Sequence, residues 1–179
     1  MSCHCYRVSP LIRYTLLGLY WALTLPLPFL LAQQNPEWSL ITLLILGMLV
    51  GFVLLWGVLD QRVQVDAEKL TVSYPGWLPE FIQQGWSLKW PDVSELVMAS
   101  TSQGGLVYYL STDLGQRFLL PMRVEKFRHL LGQVQHFTGI ETQTVYPYVQ
   151  PWMYLILAGF TAILLLCDIS VLGLVMTAP

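Results

Sequence analysis

The sequence predicts an α+β membrane protein: three transmembrane helices, with an antiparallel β-sheet or barrel and its closing helix inserted between helices two and three. Three observations predict it. Of the 179 residues, 55% are hydrophobic and only 11% charged, against about 25% charged in soluble domains. Three apolar runs, 11–31, 40–59 and 152–176, each reach the ~20 residues that cross a hydrocarbon core. The stretch from 60 to 150 instead alternates apolar and polar residues in short segments broken by turn signals, the mark of half-buried strands. The domain boundaries that follow are a tail at 1–10, a transmembrane hairpin at 11–59, a β-rich domain at 60–145, and a third helix with the C-terminus at 146–179.

The first apolar run is longer than a signal-peptide core, and "LAQQNPEW" lacks the small-x-small pattern of a cleavage site, so it reads as a retained helix. Pro26 and Pro28 loosen its far end, as prolines in membrane helices do. In the second run, "GMLVG" sets Gly47 and Gly51 at the small-xxx-small spacing that lets another helix approach closely. That helix is either the first one of this chain or one from a partner. Arg7 and Arg13 precede or open the first helix, "AQQNPEW" carries no Lys or Arg, and every other basic residue lies between 60 and 150. Positive-inside then puts the N-terminus and central domain in the cytoplasm, or in the stroma of a photosynthetic compartment, with the hairpin turn and C-terminus opposite. The membrane is a bacterial plasma membrane or a thylakoid. Tyr14, Trp38, Tyr148, Trp152 and Tyr154 fit interfacial belts.

Within the central domain, "RVQVD" and "KLTVSY" alternate around a "DAEK" turn. "WSLKW" puts Trp86, Leu88 and Trp90 on one face before a Pro-Asp break and a strand near 95–99. "SQGG" and "TDLGQ" are hairpin turns before "LVYYLS" and "RFLLPM". The pattern then changes period: Val124, Phe127, Leu130, Leu131, Val134 and Phe137 recur at helical spacing, with Gly139 as the stop.

After a membrane hairpin come "VQVDAEKLTVS", "LKWPDVSEL", "GGLVYYLST", "RFLLP" and "VEKFRHLLGQV". In that order they resemble the bacterial membrane-anchored pleckstrin-homology-like domain proteins. The resemblance implies a pleckstrin-homology-like fold over 60–145. Two N-terminal helices before a β-domain that opens with "RV.V" and "YPG" are also similar in layout to the photosystem I assembly factor of cyanobacteria and plastids. This chain departs from that layout by its third helix. The likeness implies, as partners, subunits of a photosynthetic complex.

Several residue groups are candidates for function. Cys3, His4 and Cys5 could ligate a metal, but three ligands close together in a tail, with no further Cys pair, suit a tetrahedral site poorly. A free tail is the plainer reading. The third cysteine, Cys167, lies in an apolar run, so the odd count is not a disulfide framework. His129 and His136 share a helix face, as ligands to a tetrapyrrole or metal or as exposed histidines. Arg117, Arg123, Lys126 and Arg128 could bind an anionic headgroup, although Glu125 interrupts the run. "YPGWLPEFIQQGW" (74–86) is unusually apolar for a loop. Trp77 and Phe81 then dock a partner or the membrane surface, or the loop is a lid on the domain's own core. Asp168 lies deep in the third helix, where a carboxylate is costly and marks function. It either bonds Thr24 or Ser170 within the chain or meets a group on a partner.

No nucleophile elbow, phosphate loop or zinc motif appears. Asp92, Glu95 and Asp113 sit at turns or strand edges where solvation explains them. A net charge of −2 draws the chain toward no nucleic acid. The expectation is therefore a non-enzymatic scaffold or assembly factor without cofactor or metal, with the lipid bilayer and integral membrane protein subunits as partners. The docking residues would be Asp168, Gly47, Gly51, Trp77 and Phe81. The alternatives are a lipid-sensing or stress-response module and a transporter accessory subunit.

Overall fold

The computed structural model describes residues 4–34, 37–100, 106–142, 145 and 151–177. The chain divides into two compact units, one of residues 1–9 with 57–150, the other of residues 10–56 with 151–179.

The first unit is built on two antiparallel sheets. One has the order β1 (His4–Arg7), β2 (Arg62–Val65), β3 (Lys69–Ser73), β4 (Trp86–Lys89); the other runs β5 (Val93–Ser100), β6 (Leu106–Thr112), β7 (Arg117–Leu119). Alternation decides which face is buried: Val63, Val65, Leu70, Val72 and Leu88 point inward, while Arg62, Lys69 and Lys89 point out. Where the chain enters β4, a Cβ on Gly85 would stand 2.7 Å from the Val72 carbonyl oxygen, so the close backbone approach there requires glycine. The Pro-Asp break is a single 3₁₀ turn, Trp90–Asp92. It drops Trp90 into the core, where the indole N–H donates to the Asp66 carbonyl at 2.8 Å and the ring stacks on Phe137 at 5.1 Å. The "TDLGQ" turn has Gly115 at φ +77°, and "SQGG" lies outside the described residues.

Helix α4 (Phe127–Thr138) closes the core with Phe127, Leu130, Leu131 and Val134, and ends on Gly139 at φ +72°. The apolar spacing matches the expectation. The start is later than the periodicity suggests, because Lys126 takes the left-handed conformation at φ +56° and turns the chain before the first helical residue.

The expected N-terminal tail is a correction. Residues 4–7 form β1, paired antiparallel with β2 in the register His4↔Val65 to Arg7↔Arg62. Tyr6 and Val8 are buried. Beyond β1 a bridge joins Val8 to Val124, with the Glu125 N–H donating to the Arg7 carbonyl at 2.7 Å and the Ser9 N–H to the Arg123 carbonyl at 3.1 Å. Two apolar residues at strand spacing are enough to gain the burial that holds a short segment on a sheet edge.

The second unit contains α1 (Pro10–Thr24), α2 (Pro26–Ala32), α3 (Trp38–Val58, which runs just past the unit boundary) and α5 (Pro151–Thr177). Three segments, Pro10–Ala32, Trp38–Val58 and Trp152–Gly173, are long and apolar enough to cross a membrane. Pro26 and Pro28 lack the N–H groups a continuous helix would use, and the first run divides there as expected. Helix α1 packs on α5, and a Cβ on Gly18 would touch the Thr161 methyl at 3.4 Å. Helices α1 and α3 meet antiparallel at two places: the Arg13 guanidinium lies 4.2 Å over the Trp56 ring, and the Tyr20 hydroxyl donates to the Met48 carbonyl at 2.6 Å.

Candidate functional site

In the first unit, β1 and the start of α4 flank an open cleft of about 620 Å³ lined by His4, Cys5, Tyr6, Arg7, Glu125, Lys126 and His129. Its walls lie more than a hundred residues apart in sequence and are joined by a hydrogen bond between the Tyr6 hydroxyl and His129 Nδ1. The His4 ring meets the His129 ring edge-on at 5.6 Å. Burial raises the Tyr6 hydroxyl above its usual pKa. No side chain caps the N-terminus of α4. The N–H groups of Phe127 and Arg128 have no partner among the described residues, whereas those of His129 and Leu130 bond the Lys126 carbonyl.

Of the four residues expected to bind a headgroup, only Lys126 lines this cleft. Arg117, Arg123 and Arg128 are exposed elsewhere on β7, before α4 and on α4. The cleft's other cation is Arg7. Among the described residues neither Arg7 nor Lys126 forms an ion pair. His136 is exposed and meets Phe137 edge-on rather than joining His129. No group of three or more metal-ligating side chains gathers among the described residues, and Cys3 lies outside them.

The expected docking residues separate into three places. In the 74–86 loop Trp77 is 52% and Phe81 87% exposed, while Leu78 between them is 6% exposed. The loop is thus fastened by Leu78 and exposes the Trp77 and Phe81 rings. The Trp77 ring edge also fills the space beside Gly57, at the end of α3, that a side chain there would need. Gly51 packs within the chain: a Cβ there would stand 2.8 Å from the Tyr20 hydroxyl oxygen. Gly47 has open space around it and lines an apolar groove of about 530 Å³ with Tyr20, Leu31, Leu40, Leu43, Leu44 and Met48.

Asp168, on α5, is half-buried, and its Oδ2 is shielded with no hydrogen-bond partner among the described residues. Neither expected donor reaches it. The Thr24 hydroxyl donates to the Tyr20 carbonyl and the Ser170 hydroxyl to the Leu166 carbonyl, both at 2.8 Å. Each hydroxyl satisfies itself on its own helix.

These features define a mixed α+β protein with two antiparallel sheets and three helices apolar enough to cross a membrane. Over 176 residues the chain is 45% identical to the uncharacterized protein slr0269 of the cyanobacterium Synechocystis sp., covering 97% of this chain and 88% of that relative. It belongs to the family of that cyanobacterial protein. No family model matches the chain, and no solved structure matches it.

Proposed function

We propose that the chain is a non-enzymatic integral-membrane scaffold or assembly factor whose helices and apolar loop bind other membrane-protein subunits. One observation carries the reading: a carboxylate oxygen of Asp168 is shielded without a hydrogen-bond partner on a helix long and apolar enough to span the bilayer. An unsatisfied polar group in that environment costs several kcal/mol, of order 2–7, and a donor on a neighbouring subunit removes the cost. The open space at Gly47 and the outward rings of Trp77 and Phe81 support the same reading. In it, α1 with α2, α3 and α5 cross the membrane. β1 precedes the first crossing and pairs with β2, which follows the second. The two crossings therefore begin and end at one sheet, which favours the N-terminus and β-domain sharing one side. The basic residues favour the cytoplasm or stroma, with the C-terminus opposite.

Among the described residues, seven antiparallel strands in a four- and a three-stranded sheet, sharing a core with one C-terminal helix, support a pleckstrin-homology-like architecture. A cyanobacterial relative is in keeping with a photosynthetic membrane and a photosynthetic complex as client. Native gel electrophoresis of gently solubilised membranes tests the reading. The scaffold migrates in an assembly much larger than its own micelle, together with integral membrane subunits. Migration as a lone chain carrying only lipid contradicts it.

A further inference from the structure

We propose that the cleft between β1 and α4 binds a phosphate-type oxyanion. The inference stands apart from the scaffold reading, since it concerns only the first unit. Arg7 and Lys126 supply two cations with no ion pair among the described residues, and cations bind phosphate through short charge-assisted hydrogen bonds. His129 lines the same wall, its Nδ1 hydrogen-bonded to the Tyr6 hydroxyl.

The backbone adds donors. The Arg7 carbonyl and Ser9 N–H point away from β2 toward the 123–125 segment, so strand alternation turns the Cys5 N–H to the same outer edge. That edge is open at Cys5, because the pairing is confined to the Val8–Val124 bridge. Helix α4 begins directly after Lys126 without a side-chain cap, so the positive end of its dipole lies beside that residue. Glu125 on the wall opposes a bare anion, and the two cations outweigh its single charge.

The oxyanion has two sources. Free phosphate can enter from solution. A phospholipid headgroup is equally eligible, because only Val8 and Ser9 separate Arg7 from the first residue of apolar helix α1. The experiment uses the full chain in phosphatidylcholine nanodiscs and follows amide exchange of the peptide spanning 124–130. One arm adds inorganic phosphate; the other replaces part of the lipid with phosphatidylglycerol. We expect at least one arm to slow exchange several-fold, with Lys126→Gly and Arg7→Gln each removing most of the effect. The glycine variant keeps its fold because glycine readily takes φ +56°. Slowing by phosphate alone identifies a soluble anion, and slowing by phosphatidylglycerol identifies the headgroup. No slowing in either arm, or slowing unchanged in both variants, overturns the proposal.

Discussion

Replacing Tyr6 measures how firmly the N-terminal strand belongs to the β-domain. Tyr6 is 6% exposed, lies in the main core cluster and bonds His129 from 123 positions away in sequence. Tyr6→Ala removes a buried aromatic ring, a loss of about 3–5 kcal/mol in well-packed cores. Tyr6→Phe keeps the ring and removes one hydrogen bond, about 0.5–1.5 kcal/mol net. For a domain of this size each kcal/mol moves the midpoint by roughly 4–8 °C. Tyr6→Phe should therefore lower the unfolding temperature by several degrees, and Tyr6→Ala by about 12 °C or more. The assay is protease resistance of the β-domain against temperature, with the full chain in uncharged micelles. Once His129 is replaced by Ala, Tyr6→Phe should cost little further, since the two act as one pair. If Tyr6→Ala unfolds at the wild-type temperature, β1 is no part of the domain and the reasoning fails.

Other outcomes follow from the same geometry. Burial raises the pKa of Tyr6 and Tyr74 above the ordinary tyrosine value of about 10, so the unfolded chain loses these protons first. Their contribution is fully present below pH 10 and is lost as pH rises through the folded values. Alkaline titration should show this fall and Tyr6→Phe should blunt it; a curve identical in the variant contradicts the assignment. Replacing Trp77 and Phe81 by Ser should leave the domain folded and weaken membrane or partner association, because half of the Trp77 ring and most of the Phe81 ring are exposed. Unfolding instead would make the loop a lid. A cysteine placed at exposed Leu114 in a cysteine-free chain should resist a membrane-impermeant label in sealed right-side-out vesicles. Ready labelling would reverse the topology.

What the sequence reveals depends on how local the cause is. The long helices are legible because length and apolarity alone decide them. β2, β3 and α4 are legible because burial on one face imposes a period of two or 3.6 on adjacent residues. β1 escapes such reading because its partner strand lies beyond the entire hairpin, although the alternation of Tyr6 and Val8 was a signal. The cleft is illegible for the same reason, since long-range contacts such as the Val8–Val124 bridge and the Tyr6–His129 bond bring Arg7 and Lys126 to it. The left-handed turn at Lys126 has no glycine to announce it. For Asp168 the expected hydroxyls do not reach the carboxylate: Thr24 and Ser170 each bond their own helix, a choice that sequence proximity does not reveal.

The most direct test of the scaffold reading is quantitative co-purification from native membranes in mild detergent, comparing the wild-type chain with Asp168→Leu. The substitution removes the shielded, unpartnered carboxylate and leaves an apolar side chain suited to the helix. The account predicts that the variant accumulates normally, keeps the wild-type unfolding temperature of its β-domain, and loses the integral membrane subunits that accompany the wild type. Retention of those subunits by Asp168→Leu, or a wild-type chain that brings down none, would contradict it.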